Sequence, residues 1–145
     1  MSSLTVSMQN YIRVIYELSP GGEGARICDI AVKRNVTKSS ACVAMKTLQK
    51  KGLIHRDADR LVLLTSMCKE QAMVITNKFS IIQQFLTDTL EISNENAAHD
   101  ACVMEHSISM ETLCSFCRWN NNKHNSLSCE GGCDYDLCDT AYGTE

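Results

Sequence analysis

The chain has 145 residues, of which 44% are hydrophobic and 21% charged, with a net charge of −3 and nine cysteines. That length bounds it to one or two small domains. No apolar run reaches the roughly 18–20 residues of a membrane span, and "MSSLTVSMQN" lacks a secretory pattern, so a cytoplasmic protein is expected. In that compartment cysteines are expected as thiols or metal ligands rather than disulfides. The charge is uneven. Residues 1–72 carry 11 Lys or Arg against 6 Asp or Glu, a net +5, whereas residues 73–145 carry 3 against 11, a net −8. A basic first half points to a polyanionic partner.

In chain order, "SMQNYIRVIYELS" places Tyr11, Ile12, Val14, Ile15 and Leu18 at helical spacing, with Ser7 as the expected cap. "PGGEG" is a loop. "RICDIAVKRN" is a short helix stopped at Asn35. "VTKSSACVAMKTLQKKG" is a second helix, capped by Thr37, with Val36, Ala41, Ala44, Met45 and Leu48 inward and Gly52 at its end. Apolar strands at 53–55 and 61–64 flank a polar turn at 57–59, a β-hairpin. Three helices and a hairpin in a basic segment give the winged helix-turn-helix order, whose second paired helix enters the major groove of double-stranded DNA.

A long helix is expected over 66–92, with Val74, Ile75, Phe79, Ile82, Phe85, Leu86 and Leu90 on a broad apolar stripe, broken by "SNEN". "AAHDACVMEH" and "SISMETLCSFCRW" supply two more helices. So few helices lack a large core of their own, and pairing with a second copy, a homodimer, is the expected solution. The expected fold class is therefore mainly α with a small β-hairpin wing. A winged helix over 1–72 precedes a helical metal-binding and dimerisation domain over 73–118, and a Cys-rich tail fills 119–145. After Trp119, Asn, Ser, Gly and Asp favour loops.

Two constellations carry chemistry. On a helix, Cys102, Glu105 and His106 stand at i, i+3 and i+4 and share one face. Thiolate, carboxylate and imidazole together suit a divalent transition-metal ion. A Cys–His nucleophilic site would need an orienting group and an oxyanion hole, which the sequence does not offer, so an enzyme with a small-molecule substrate is not expected. The second constellation is C-x2-C-x11-C-x3-C-x4-C at Cys114, Cys117, Cys129, Cys133 and Cys138. Close cysteine pairs fit a tetrahedral zinc site or an iron–sulfur cluster, and an unliganded tail is the third reading.

"MQNYIRVIYEL", "ARICDIA", "VTKSSACVAMKTLQKKGLI", "DRLVLLT", "QQFLTDTLEI" and "ACVMEHSIS" follow one another without gaps. In this the chain resembles the diphtheria toxin repressor family of iron- and manganese-dependent repressors. The resemblance implies a dimeric repressor that binds operator DNA with Fe(II) or Mn(II) as corepressor, held between winged helix and helical domain. It implies Cys102, Glu105 and His106 as ligands, with cysteine the iron-type choice. It places Asn10, flanked by Met8 and Gln9, where a further ligand stands. The family's ancillary ligands are replaced by Phe79, Gln83 and Ala98, with His99 one place along, and Arg13 stands where some manganese-type members have an acidic ligand. The resemblance implies DNA contacts at Thr37, Lys38, Ser39, Ser40 and Val43, with Arg26, Lys46, Lys50, Lys51 and Arg60 on phosphates. An alternative regulator would sense iron–sulfur status or redox through the tail cysteines, with the helical site vestigial.

Overall fold

The structure, a computed structural model, describes residues 4–124. Six helices and one hairpin follow in the order α1 (Val6–Leu18), α2 (Ile27–Arg34), α3 (Lys38–Lys50), β1 (Ile54–Arg56), β2 (Val62–Leu64), α4 (Ser66–Asp88), α5 (Asn94–Met104) and α6 (Met110–His124). The chain divides into two compact units between Thr76 and Asn77.

The first unit is built on α1 to α3. Thr5, not Ser7, caps α1: its hydroxyl accepts a bond from the Met8 N–H at 3.3 Å. The helix starts this early because Leu4, just before the cap, packs on the core. Helix α2 stops at Asn35, whose φ of 53° is left-handed, a conformation asparagine tolerates. Two residues on, the Thr37 hydroxyl accepts from the Ser40 N–H at 3.1 Å and opens α3. Lys51 then closes α3, with Gly52 at φ 72° just beyond.

The periodic apolar residues of these helices meet in one core. Ile12, Ile30, Met45 and Val62 are fully buried, and Leu48 and Ile54 almost so. Burying each such side chain contributes about 1.5–3 kcal/mol. Around this core the Glu17 carboxylate takes both Arg13 at 3.2 Å and Lys33 at 2.8 Å, linking α1 to α2. The Arg34 guanidinium lies 4.9 Å from the centre of the Tyr11 ring.

The wing is an antiparallel pair with Ile54 opposite Leu64, His55 opposite Leu63 and Arg56 opposite Val62. Alternate residues Ile54, Val62 and Leu64 face the core, and His55 faces solvent. Asp57 builds the tip: its carboxylate accepts from the Asp59 and Leu61 N–H groups, each at 2.9 Å. Arg60 sits there at φ 62°. Ala25 adds a bridge on the other side of β2, exchanging bonds of 2.9 and 2.8 Å with Val62.

The second unit has its own core. The second half of α4 supplies Phe79, Ile82 and Leu86, α5 supplies Ala97 and Ala101, and α6 supplies Leu113. The Phe85 and Phe116 rings stack 4.2 Å apart at 8°. Phe79, which stands where the ancillary-site histidine would, packs in this core.

Three expected boundaries move. Helix α4 ends at Asp88 rather than 92, because Glu91 turns left-handed at φ 55° and the Ile92 N–H returns to the Leu86 carbonyl at 3.0 Å. Ser93 then caps α5 through the Asn96 N–H, so "SNEN" starts a helix as well as separating two. Helix α6 runs to His124, across the boundary expected at 118. There the buried Asn120 side chain donates to the Ile81 carbonyl at 3.0 Å, which fastens a polar stretch to α4. No helix among the described residues is long and apolar enough to cross a membrane.

Among the described glycines, Gly24 is the least able to change. Its φ is 100°, and an added Cβ would come within 2.8 Å of Leu61 Cβ and 3.3 Å of Leu63 Cγ. Gly24→Ala is expected to cost about 1–3 kcal/mol through the left-handed backbone and the collision with the wing. Urea denaturation of the full chain reads this as a lowered midpoint; an unchanged midpoint would show that the wing moves aside freely.

Candidate functional site

The first candidate site is the outer face of α3. Ala41, Met45 and Leu48 bury one side of this helix. The opposite side exposes Lys38, Ser39, Ser40, Val43, Lys46 and Thr47. Val43 is 65% exposed, a large apolar side chain among polar ones. Several hydroxyls are already engaged: Thr37 donates to Ser40 Oγ at 2.9 Å, and Thr47 donates to the Val43 carbonyl at 3.2 Å. Arg26, the N-cap of α2, and Arg60, at the wing tip, are exposed, as are Lys50 and Lys51. All the residues expected to contact DNA therefore lie on the surface of the first unit. Sequence reasoning passed over Thr47, although its place four residues after Val43 puts it on the same face.

The second candidate site is Cys102, Glu105 and His106. Helix α5 ends at Met104, so Cys102 is helical, Glu105 is the C-cap, and His106 lies in the following turn. Glu105 keeps a right-handed helical backbone, and its N–H reaches the Ala101 carbonyl at 3.1 Å, so the helical path runs one residue past Met104. The turn is closed by Ser107 and Ile108 N–H groups, which both reach the Met104 carbonyl, at 2.9 and 3.0 Å. It brings His106 Nε2 to 3.1 Å from Glu105 Oε1, with side-chain exposures of 10% and 2%. Cys102 is half-buried against the second core. Among the described residues no three His, Cys, Asp or Glu side chains are gathered as a ready metal-ligand set.

The remaining expected ligands are carried by other parts of the chain. Asn10 is buried in α1, and Met8 is half-buried against the first core, in a hollow it shares with Tyr11, Ala44 and Leu48. Cys114 and Cys117 stand in the middle of α6, buried with Ile81 and Met110. Asn121 Nδ2 approaches Cys117 Sγ at 3.9 Å. Cys129, Cys133 and Cys138 lie outside the described residues. Of the other cysteines, Cys28 is exposed and Cys42 half-buried. Cys68 is fully buried, and burial pushes its thiol up to about 11.

A winged helix with an exposed basic reading helix, followed by a separate helical unit, defines a DNA-binding regulator. Comparison narrows the class. The description "Iron dependent repressor, N-terminal DNA binding domain" matches residues 3–62. "Iron dependent repressor, metal binding and dimerisation domain" matches residues 65–126. The transcriptional regulator MntR of Escherichia coli O6:H1 is 32% identical over 117 residues, covering 81% of this chain and 74% of that protein. The diphtheria toxin repressor of Corynebacterium glutamicum is 25% identical over 111 residues, 77% of this chain and 49% of that one. The solved structure of the manganese regulator SloR superposes with a TM-score of 0.68 at 26% identity, over 81% of this chain and 55% of that chain. The chain thus spans about half the length of that structure. It belongs to the iron-dependent repressor family, whose members are transcriptional regulators and not enzymes.

The raised Cys68 pKa has a consequence for stability. Below about pH 9, folded and unfolded chains both keep this proton, and its contribution is level. Between about 9 and about 11 the unfolded thiol ionises first, so stability falls as pH rises. Urea midpoints measured from pH 8 to 10.5 should decline, and Cys68→Ala should flatten that decline. An equally steep decline in the variant would assign the effect to other groups.

Proposed function

We propose that this chain is a dimeric repressor of operator DNA, activated by Fe(II) or Mn(II) held at Cys102, Glu105 and His106. The observation that carries the metal assignment is the carboxylate of Glu105, 2% exposed and 3.1 Å from the His106 imidazole. A carboxylate and an imidazole held this close together and this far from solvent are a preformed pair of donors for a divalent cation. The donor chemistry fits: thiolate, carboxylate and imidazole combine soft and borderline ligands for a first-row ion. When bound, the ion would supply positive charge against the thiolate and carboxylate.

The chain's own residues do the rest. The Met104 carbonyl, taking two N–H groups, fixes the turn that holds His106 beside Glu105. Asn10 and Met8 keep the ligand roles that the resemblance gives them. Cys114 and Cys117 serve in this reading as packing residues of the second unit. On the DNA side, Arg26, Lys46 and Arg60 neutralise phosphates, while Thr37, Lys38, Ser39, Ser40 and Val43 on or at the start of α3 meet the bases. The location that goes with this function is the cytoplasm, where the DNA is.

Isothermal titration with Mn(II), and anaerobically with Fe(II), tests the ligand set. Glu105→Gln and His106→Ala are each expected to weaken metal binding by about 100-fold. Metal-dependent retention of operator DNA should disappear with it. A His106→Ala protein that still binds DNA only when metal is added would overturn the assignment. Asn10→Ala is expected to weaken metal binding by about tenfold, and Met8→Ala by less.

A further inference from the structure

We infer that Val43 reads the C5-methyl group of a thymine, and that methyl recognition at the centre of α3 contributes to this protein's operator specificity. The inference rests on the DNA-reading role proposed above. Residues 37–48, "TKSSACVAMKTL", contain no Arg, Asn, Gln, Asp or Glu. Of the pairings that usually specify bases, Arg to guanine and Asn or Gln to adenine are therefore absent from this stretch, which leaves Lys38, in the first turn, as its one long donor toward the bases. Gln49, the first amide, sits about 120° around the helix from Val43. Two of the hydroxyl donors, Thr37 and Thr47, are spent inside the helix, on Ser40 Oγ and the Val43 carbonyl. What the middle of the face does offer is an apolar side chain, 65% exposed.

Its position is central. Ser39, Ser40, Lys46 and Thr47 stand at i−4, i−3, i+3 and i+4 around it, and all are exposed. Ala41, Met45 and Leu48 bury the opposite side. A valine so placed has no packing role in the first unit. In the major groove the thymine methyl is the one apolar feature of a base-pair edge, and contact with an apolar side chain removes both from water. Ser39 flanks this contact on the N-terminal side and can add a hydrogen bond to a neighbouring base edge, while Lys46 on the other side holds a phosphate.

The full-length protein, loaded with Mn(II), would be used to enrich tight sites from a randomised duplex library. In the best site each thymine is then replaced singly by deoxyuridine, which removes nothing but the methyl group. For the wild type, one thymine in each half-site is expected to lose about fourfold in affinity, the worth of one buried methyl. For Val43→Ala the thymine duplex should bind about as weakly as the uracil duplex, and the two should not differ. Val32→Ala, at a valine on α2 that is 81% exposed, should retain the wild-type thymine dependence. Enrichment of a site at which no thymine replacement depends on residue 43 would overturn the inference while leaving the DNA-reading role intact. Failure to enrich any sequence with Mn(II) or Fe(II) would overturn both.

Discussion

The pair of hydrogen bonds between Ala25 and Val62 ties the wing to the start of α2, and much of the first unit hangs on it. Gly24 makes that approach possible, because any side chain there would strike Leu61 and Leu63. The Ser19 hydroxyl supports it from the α1 side, accepting from the Gly24 N–H at 2.7 Å. From Ala25 the chain has no slack. Arg26 caps α2, Asn35 turns the chain left-handed, and Thr37 opens α3. The orientation of the reading helix within the unit therefore follows from a strand contact well before it, together with the core that α3 buries. The wing tip is built with equal economy: Asp57 satisfies two backbone donors and holds Arg60 in place.

Charge is arranged to leave the reading face available. Glu17, the one acidic side chain among the described residues of the first unit that is not exposed, is occupied by Arg13 and Lys33 on the α1–α2 side. Helix α3 has no acidic residue at all, so its lysines are not neutralised by their neighbours along the helix. In the second unit the arrangement reverses. A carboxylate is buried beside an imidazole in the turn after α5. One unit thus offers cations to solvent, and the other withdraws an anion from it. That division matches a regulator with a polyanionic partner on one side and a cationic effector on the other.

Much of this was legible in the sequence, and the misses have identifiable causes. Thr37, Asn35 and Gly52 bounded the paired helices because each acts locally, through a hydroxyl or a left-handed backbone. The cap of α1 was read two residues late because Thr5 and Ser7 offer the same chemistry, and the packing of Leu4 decides between them. The long helix was expected to run to Ile92, yet that residue reaches the core from a reversed turn. Periodicity records which side chains are buried, not whether the backbone beneath them is helical. Asn120 looked like loop material because its partner, the Ile81 carbonyl, is distant in sequence. The metal-ligand spacing was read as a helical face; the helical backbone continues through Glu105, and His106 stands in the turn that follows. Val43 was singled out as a DNA contact, but its isolation among polar neighbours needed burial values to see.

The bond from Asn120 to Ile81 also sets an order of assembly. Every residue of the first core lies at or before Ala72, so that core can close while the remainder of the chain is still being synthesised. The second unit cannot: its last aromatic partner is Phe116, and its anchoring amide comes later still. A nascent chain therefore carries a finished DNA-reading unit before its metal-binding unit exists. Ribosome-bound intermediates would have the means to touch nucleic acid without the means to be regulated.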